Sequence, residues 1–495
     1  MQNKPRWYDA ITINIYYLGI SMLTQTVSTL VLPLLIQQFI GERSQGTYFG
    51  IIRLWGLMVA LLVQALSGML SDHATSRWGR RRPFILAGTL LELVFIAAMA
   101  FSSILEGIRG FWILFASYLL LQASSNLAHG AMQGLIPDLI PEAQRGRFSG
   151  IKAFFEVPLP VILIAFTVSH IIEAGQLVDG LALTASILVA TMLITLLVQE
   201  KPCQEPASPL NLISFLRLLL MTAAFTAIIL GAGAGVKQVS AWIKNMPSAP
   251  LQFLIMGATG LLAMGIAIAA GVWISIRISI GKENTQQQRS FIWWIINRLT
   301  FLVGAFNLSS FLLFFIQARL GFTNESAVAP TSNVIMLVGI SLLLSALPSG
   351  WLSDKFGQKR TAMLSGIVAG TGILLLIIAP SMTAIYIGAC LIGLATGTFY
   401  TANWALGTCL VPKEEAGRYL GLSNLAGAGA GAIGAYIGGP IADHFTTYIP
   451  EVPGLGYTLI FALYGALFLL SSIALLKIKE PQNAKAHLQI CPQST

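Results

Sequence analysis

Four ionisable side chains stand where water is scarce. Glu92, His129, Glu156 and Arg298 each fall inside, or near one end of, a long apolar stretch of the chain. Removing a charge from water is costly, so such groups in a lipid-crossing segment face a cavity or pair with one another. A carboxyl or imidazole in that setting can take up and release a proton, and a guanidinium can hold an anion or a hydroxyl. The expectation is that Glu92, His129 or Glu156 carries a proton while Arg298 orients a ligand. Glu156 and Arg298, close to the ends of their stretches, equally suit snorkelling to an interface or bridging two parts of the molecule. The amides of Gln37, Gln64, Gln122, Gln133 and Asn307 offer the hydrogen bonds that a hydroxyl-rich ligand requires. Trp55 and Trp404 could stack on a flat ligand face or anchor at a membrane interface. Arg53, one turn inside its stretch, suits snorkelling.

Other chemistries lack their residues. There is no phosphate loop, nucleophile elbow or metal-ligand cluster, and Cys203, Cys390, Cys409 and Cys491 show no paired spacing. No enzyme activity, cofactor, metal or ATP-driven pumping by this chain alone is expected.

The elements that must position the four groups follow from composition. Of 495 residues, 55% are hydrophobic and only 10% are charged, against about 25% charged in soluble domains. Apolar runs of about 20 residues recur along the chain, and in hydrocarbon only helices or closed barrels satisfy the backbone. The runs are continuous and not alternating, so they are helices. The spans read 12–39, 48–71, 84–104, 111–136, 148–172 and 180–199, then 291–317, 329–353, 360–379, 383–410, 418–441 and 456–476. In the span 418–441, small residues every three or four positions through Gly427, Gly431, Gly434 and Gly438 make one smooth face for packing or sliding, with Pro440 ending the helix. Two more runs, 212–235 and 251–276, lie between these halves. They either cross the membrane, giving fourteen spans, or lie as a hairpin on one face, leaving twelve. Glu92 sits about 12 Å into the third span at 1.5 Å per residue.

Charge placement sets the orientation. With the N-terminus inside, 20 of the 29 Lys and Arg residues fall on the inner side and 5 on the outer, as the positive-inside rule demands. The net charge of +9 therefore marks topology and contact with membrane lipid, and nucleic acid is not an expected partner. The first span follows a short polar start without a small-residue cleavage site, so it reads as retained.

A duplication runs through the loops. Gly68-Met-Leu-Ser-Asp72 leads through Arg77, Gly79, Arg80, Arg81 and Arg82 to Pro83. Its counterpart is Gly350-Trp-Leu-Ser-Asp354, leading through Gly357 to Lys359 and Arg360. The aspartates are 282 residues apart and the glycines 278, a four-residue insertion in the first copy. Pro141 to Arg147 and Pro412 to Arg418 form a second echo, each after the fourth span of its half. The expected roles form a latch. Gly68 and Gly350 let helices approach, Asp72 and Asp354 cap a helix or pair with arginine, Gly79 and Gly357 turn the chain, and the cations anchor in headgroups.

This Gly-x-Leu-Ser-Asp-x-x-Gly-x-Lys-Arg pattern, present in both halves, resembles the loop signature of the major facilitator superfamily. The stretch from about residue 54 to 85, with Leu62-Val63-Gln64 and Thr75-Ser76-Arg77-Trp78-Gly79-Arg80-Arg81-Arg82-Pro83, is similar to sucrose–proton symporters and related glycoside transporters. The resemblance implies an all-α integral membrane protein: two six-helix bundles related by pseudo-two-fold symmetry, with a cavity between them and a central two-helix insertion. The expected units are 1–200, 201–290, 291–480 and a polar tail, 481–495. The implied activity is secondary transport by a monomer, with proton-coupled uptake of a sugar-like solute by alternating access. Plant members of the symporter branch carry an acidic and a basic residue within the fourth helix; the corresponding positions here are Phe115 and a residue near Asn126. Their proton and sucrose residues therefore do not carry over. Two other readings stay open: an exporter on the same scaffold, and an assembly or sensor protein using the central pair as its surface. A bacterial inner membrane with both termini cytoplasmic suits the composition.

Overall fold

The structure, a computed structural model, describes residues 6, 8–200, 212–280, 289–379, 381–410 and 416–478. The polar tail, both ends of the central linker and residues 411–415 of the second loop echo lie outside the described residues. Fourteen long helices follow one another: α1 (Asp9–Ile40), α2 (Gln45–Asp72), α3 (Arg82–Ser102), α4 (Gly107–Met132), α5 (Gln144–Glu173), α6 (Leu177–Thr195), α7 (Leu212–Ile243), α8 (Ala249–Ile280), α9 (Arg289–Leu320), α10 (Val328–Phe356), α11 (Gln358–Ile378), α12 (Met382–Leu410), α13 (Ala416–Tyr448) and α14 (Leu455–Leu475). All but α13 pass the length and hydropathy test for crossing a membrane, and no strand occurs among the described residues. Helices α1–α6 form one bundle and α9–α14 the other. The end of the molecule carrying the arginine-rich 73–81 loop is called the basic face, and the opposite end the far face.

The central pair is not a surface hairpin. Helix α7 runs alongside α13, with Phe225 against Gly429, Gly233 against Tyr436 and Ser240 against His444. The fifteen residues between the first and last of these contacts correspond to about 22 Å of helix. Helix α8 runs back along the same helix, Gln252 meeting His444 and Gly260 meeting Ile441. Helix α7 thus follows α13 over a length that suits a membrane crossing, and α8 packs against both, an arrangement that favours fourteen spans over a hairpin on one face.

Two of the long helices are locally wound as π-helix, Val27–Val31 in α1 and Ile164–Val168 in α5. Pro33 follows the first wide turn, where its missing N–H breaks the regular ladder, and Pro160 lies one turn before the second. Both touch the opposite bundle, at α9 and α10 respectively.

Helix α13 departs from expectation twice. Pro440 does not end it; the helix continues to Tyr448. Its glycines also do not form a single smooth face. Gly429 receives Phe225 of α7, Gly431 Leu57 of α2, Gly434 the Asn307 amide of α9, and Gly438 the Tyr464 hydroxyl of α14. Small residues surround α13 because neighbours crowd it on every side.

The two copies of the loop dock alike. Arg81, buried, reaches Asp72, Ser71 Oγ at 2.6 Å and Asp138 at 2.9 Å, while Arg80 pairs with Asp138 at 2.5 Å. Glu200, just past α6, accepts the backbone N–H of Arg81 at 2.9 Å and of Arg82 at 3.1 Å, capping α3. In the second copy Lys359 donates to the carbonyl of Ile478, just past α14, at 2.8 Å. Arg81 to Lys359 and Glu200 to Ile478 are both offsets of 278 residues, so each loop grips the last helix end of its own half. Gly79 and Gly357 turn with φ of 99° and 91°. The close-approach role expected of Gly68 and Gly350 is not found. Nothing lies within 4 Å of a Cβ at Gly350, and only a carbonyl at 4.0 Å for Gly68. It is Gly130 of α4 that admits α2, with Ser67 Cβ at 3.0 Å. Arg77, Asp354 and Arg360 are exposed.

Arg81→Ala strips a buried cation from two carboxylates and should cost about 3 kcal/mol, whereas Arg77→Ala, exposed, should change stability by about 0.5 kcal/mol or less. Thermal unfolding of both variants in detergent checks this, and equal melting temperatures would dismiss the network as a stabilising element.

Candidate functional site

Contacts between the bundles concentrate toward the far face. There Gly46 and Gly50 of α2 lie against Gly439 and Ala435 of α13, close enough that a Cβ on Gly50 would stand 2.9 Å from Tyr436 Cα. Asp443, buried at 8% exposure, sits on α13 one turn beyond Gly439. Its carboxylate accepts the N–H of Gly46 at 2.8 Å and of Thr47 at 2.7 Å. One bundle thus caps the first turn of a helix in the other, satisfying two otherwise orphaned donors with a charge-assisted bond. Phe49 lies against Phe311 and Phe314 with centroids at 5.3 and 5.7 Å, Gln45 donates to the Tyr457 hydroxyl at 2.9 Å, and Thr447 to the Arg43 carbonyl at 3.0 Å. The central pair grips the same place. Gln252 donates its amide to Met246 O, so its oxygen faces His444 Nε2 at 2.8 Å, and a neutral His444 donates there and accepts at Nδ1 from Ser240 at 2.8 Å.

Toward the basic face the helical segment Glu142–Glu156, which forms the first half of α5, packs against α1 and its own bundle, and polar side chains line the separation from the second. On one side stand Tyr17, His129, Gln133, Lys152 and Glu156. His129 meets the Tyr17 ring edge-on at 5.9 Å, and the Gln133 amide lies 3.3 Å from its Nε2. Lys152 sits 4.6 Å over Tyr17 and 3.6 Å from Glu156. Across from them is Arg298, 8% exposed. Its guanidinium is ringed by Trp294 at 5.9 Å, Tyr400 at 5.8 Å and Trp404 at 5.3 Å. Nη1 donates to Asn403 Oδ1 at 3.0 Å; Asn403 donates to Asn297 at 2.7 Å, and Asn297 to the Ser471 carbonyl at 2.8 Å. Helical spacing explains the cluster. Trp294 and Arg298 are one turn apart on α9, and Tyr400, Asn403 and Trp404 share a face of α12. Glu156 lies within electrostatic range of Tyr17 in its own bundle and of Tyr400 across the separation. Glu156 pairs with Lys152, so the anticipated bridge from Glu156 to Arg298 is not made.

Glu92 is elsewhere, sealed inside the first bundle at 0% exposure. The Tyr16 hydroxyl is 3.4 Å from its Oε2 and 2.5 Å from Thr89 Oγ1; Oε1 has no hydrogen-bond partner. Among the described residues no cation lies within ion-pair distance of it. Adjacent tyrosines of α1 thus divide the two expected proton groups, Tyr16 turning to Glu92 and Tyr17 to His129.

The remaining candidates scatter. Asn307 spends its amide on the Val303 and Ala430 carbonyls, both at 2.9 Å, stapling α9 to α13. Gln37 lies by the far face, 3.5 Å from Glu42. Gln122 is buried in α4, and Gln64 half-buried in α2. Trp55 is exposed, and Trp404 is the expected platform that does reach the Arg298 cluster. Arg53 does not snorkel: it is 8% exposed and points to the Tyr118 hydroxyl at 3.4 Å. Sequence reading missed Asp443, Asn403 and Trp294. The first lay beyond the proline taken as a helix end; the other two carried only a helical repeat of aromatics.

Comparison with known proteins follows the same lines. A family model described as Major Facilitator Superfamily matches residues 299–489, and one described as MFS/sugar transport protein matches residues 15–246. The Minor myo-inositol transporter IolF of Bacillus subtilis (strain 168) is 34% identical over 94 residues, 19% of this chain and 21% of that protein. The Sucrose transport protein SUT1 of Oryza sativa subsp. japonica is 30% identical over 145 residues, 25% of this chain and 23% of that protein. Less than a quarter of either relative is matched. Among solved structures, that of the peptide transporter POT in complex with sulfate superposes with a TM-score of 0.65 at 16% identity, covering 96% of each chain, a likeness of fold alone.

Asp443→Asn keeps the shape of the far-face cap and removes its charge, weakening hydrogen bonds worth about 1.5–3 kcal/mol to a charged acceptor. In a cysteine-free background, a cysteine at Phe49 should then react faster with a membrane-impermeant maleimide. An unchanged labelling rate would show that the cap does not hold this end shut.

Proposed function

This chain belongs to the Major Facilitator Superfamily, and we propose that it moves a small, sugar-like solute across a membrane in exchange for the energy of a proton gradient. The basic face is cytoplasmic by the positive-inside rule. The arrangement is then an inward-facing state: the outer end held by Asp443 on the first turn of α2, the inner end parted and lined by the Arg298 and His129 clusters. Rocking the bundles would release the outer cap and bring the inner clusters together, with solute enclosed between them. Sugar-like substrates are favoured by the sugar-transport family match in the first half and by the inositol and sucrose transporters among the relatives.

The observation that carries proton coupling is Glu92: a carboxyl at 0% exposure with one oxygen unpartnered and no cation beside it among the described residues. A carboxyl so placed is stable in its protonated form and gives up that proton only when water or a cation reaches it. Tyr16, whose hydroxyl faces Glu92 Oε2 at 3.4 Å, is followed on α1 by Tyr17, which meets His129. His129, with Gln133 and Tyr17 around it, is the group on the solvent side.

Purified protein in liposomes, given an acid-outside pH step and a labelled polyol or hexose, separates the possibilities. Uptake driven by the step supports symport; efflux driven by it points to export instead. Glu92→Gln should reduce gradient-driven uptake by about tenfold or more, while substrate exchange without a gradient persists. Intact coupled uptake in both Glu92→Gln and His129→Asn would end the assignment of the proton to this bundle.

A further inference from the structure

We infer that Arg298 is a carboxylate-binding group, so that the solute carried is an organic anion whose carboxylate docks on the second bundle. This rests on the reading that the parted inner end is the substrate path. Four observations carry it. The Arg298 guanidinium is buried, yet among the described residues no carboxylate lies within ion-pair distance. Its hydrogen bonding is incomplete: Nη1 donates to Asn403, while Nε is buried and has no partner. The Nε edge of the fork is one that meets two carboxylate oxygens side by side. The group is also held rigid. Asn403 is fixed in turn by Asn297, and Trp294 donates to the Asn403 carbonyl at 2.8 Å, so the fork is preorganised and loses little freedom on binding.

The surroundings set the way in. Trp294 is enclosed, Tyr400 half-buried and Trp404 43% exposed, which places the path to the guanidinium past Trp404. Because Tyr400 is within electrostatic range of Glu156 on the other bundle, that face of α12 looks across the separation and not into lipid. An isolated buried cation is tolerable because three aromatic faces share its charge, but they leave the directional N–H donors unused. A carboxylate satisfies both the charge and the donors; a neutral hydroxyl leaves the charge uncompensated and offers a single oxygen where the fork matches two. The nearby Lys152 is already paired with Glu156 at 3.6 Å, which leaves Arg298 as the unpaired cation of the two.

Two matched pairs test this on the full-length protein in detergent by calorimetric titration: gluconate with sorbitol, and benzoate with benzamide. In each pair the shape is similar and the carboxylate is present in one member alone. At least one carboxylate should bind about tenfold tighter than its neutral twin. Arg298→Gln should bring that ratio near one, and Arg298→Lys, which keeps the charge but not the fork, should give an intermediate value. Sorbitol matching gluconate and benzamide matching benzoate would overturn the inference while leaving the polyol reading standing. Discrimination confined to benzoate would uphold the inference and remove the sugar-like reading. Failure of both carboxylates to bind at all would also overturn it. Should Arg298→Gln not fold, the ratios of the unaltered protein and of Arg298→Lys decide the matter.

Discussion

Hydrocarbon offers no hydrogen bonds, and nearly everything in this structure answers to that constraint. It forces the backbone into helices, and it makes an unsatisfied polar group inside the bundle expensive. Serine and threonine in the spans mostly return their hydroxyls to a carbonyl one turn back, as Thr331 does to Ala327 at 2.7 Å and Thr184 to Gly180 at 2.9 Å. Asn307 binds two carbonyls, and Asn297 and Asn403 bind each other. Some buried hydroxyls and amide oxygens, Asn307 Oδ1 among them, are left without a partner; the ionisable side chains that share this are Glu92 at Oε1 and Arg53, Arg82 and Arg298 at Nε.

The same constraint explains the charged cap at the far face. Helix termini carry the only backbone donors a spanning helix cannot satisfy itself, so a carboxylate from the neighbouring bundle finds them at the first turn of α2. Asp443 uses them without a cationic partner at ion-pair distance among the described residues. A latch built on two N–H donors is strong enough to order the interface and weak enough to release, since each bond exchanges with water once the surfaces part.

How much could be read from the sequence divides along the same line. Helix identity and the doubling of the bundle were legible because both depend on local pattern: apolar runs, and loops whose glycines and basic residues recur at a fixed offset. The docking of Arg81 and Lys359 on the ends of α6 and α14 extends that offset to contacts no pattern displays. The site was legible one residue at a time. Arg298 and His129 stand out as ions in apolar stretches, but Asn403, Asn297 and Trp294 look like ordinary spanning residues until packing brings them together. Glu92, His129 and Glu156 read alike as alternative proton carriers; packing turns Glu92 to Tyr16 and His129 to Tyr17. Two errors have a common cause. Ending α13 at Pro440 and assigning close approach to Gly68 both relied on what a residue type usually does. Tertiary packing allowed the proline to be crossed and gave the approach to Gly130.

Helices α7 and α8 cover one flank only. They lie against α2, α9, α13 and α14, walling the seam where α2 crosses α13, while the seam between α5 and α10 has no such cover. The bilayer therefore presses on the two bundles asymmetrically. Along one side lipid chains meet the joint directly, and along the other they meet an outrigger fastened at His444. A change in the thickness or stiffness of the surrounding lipid would therefore reach the joint chiefly along its bare side.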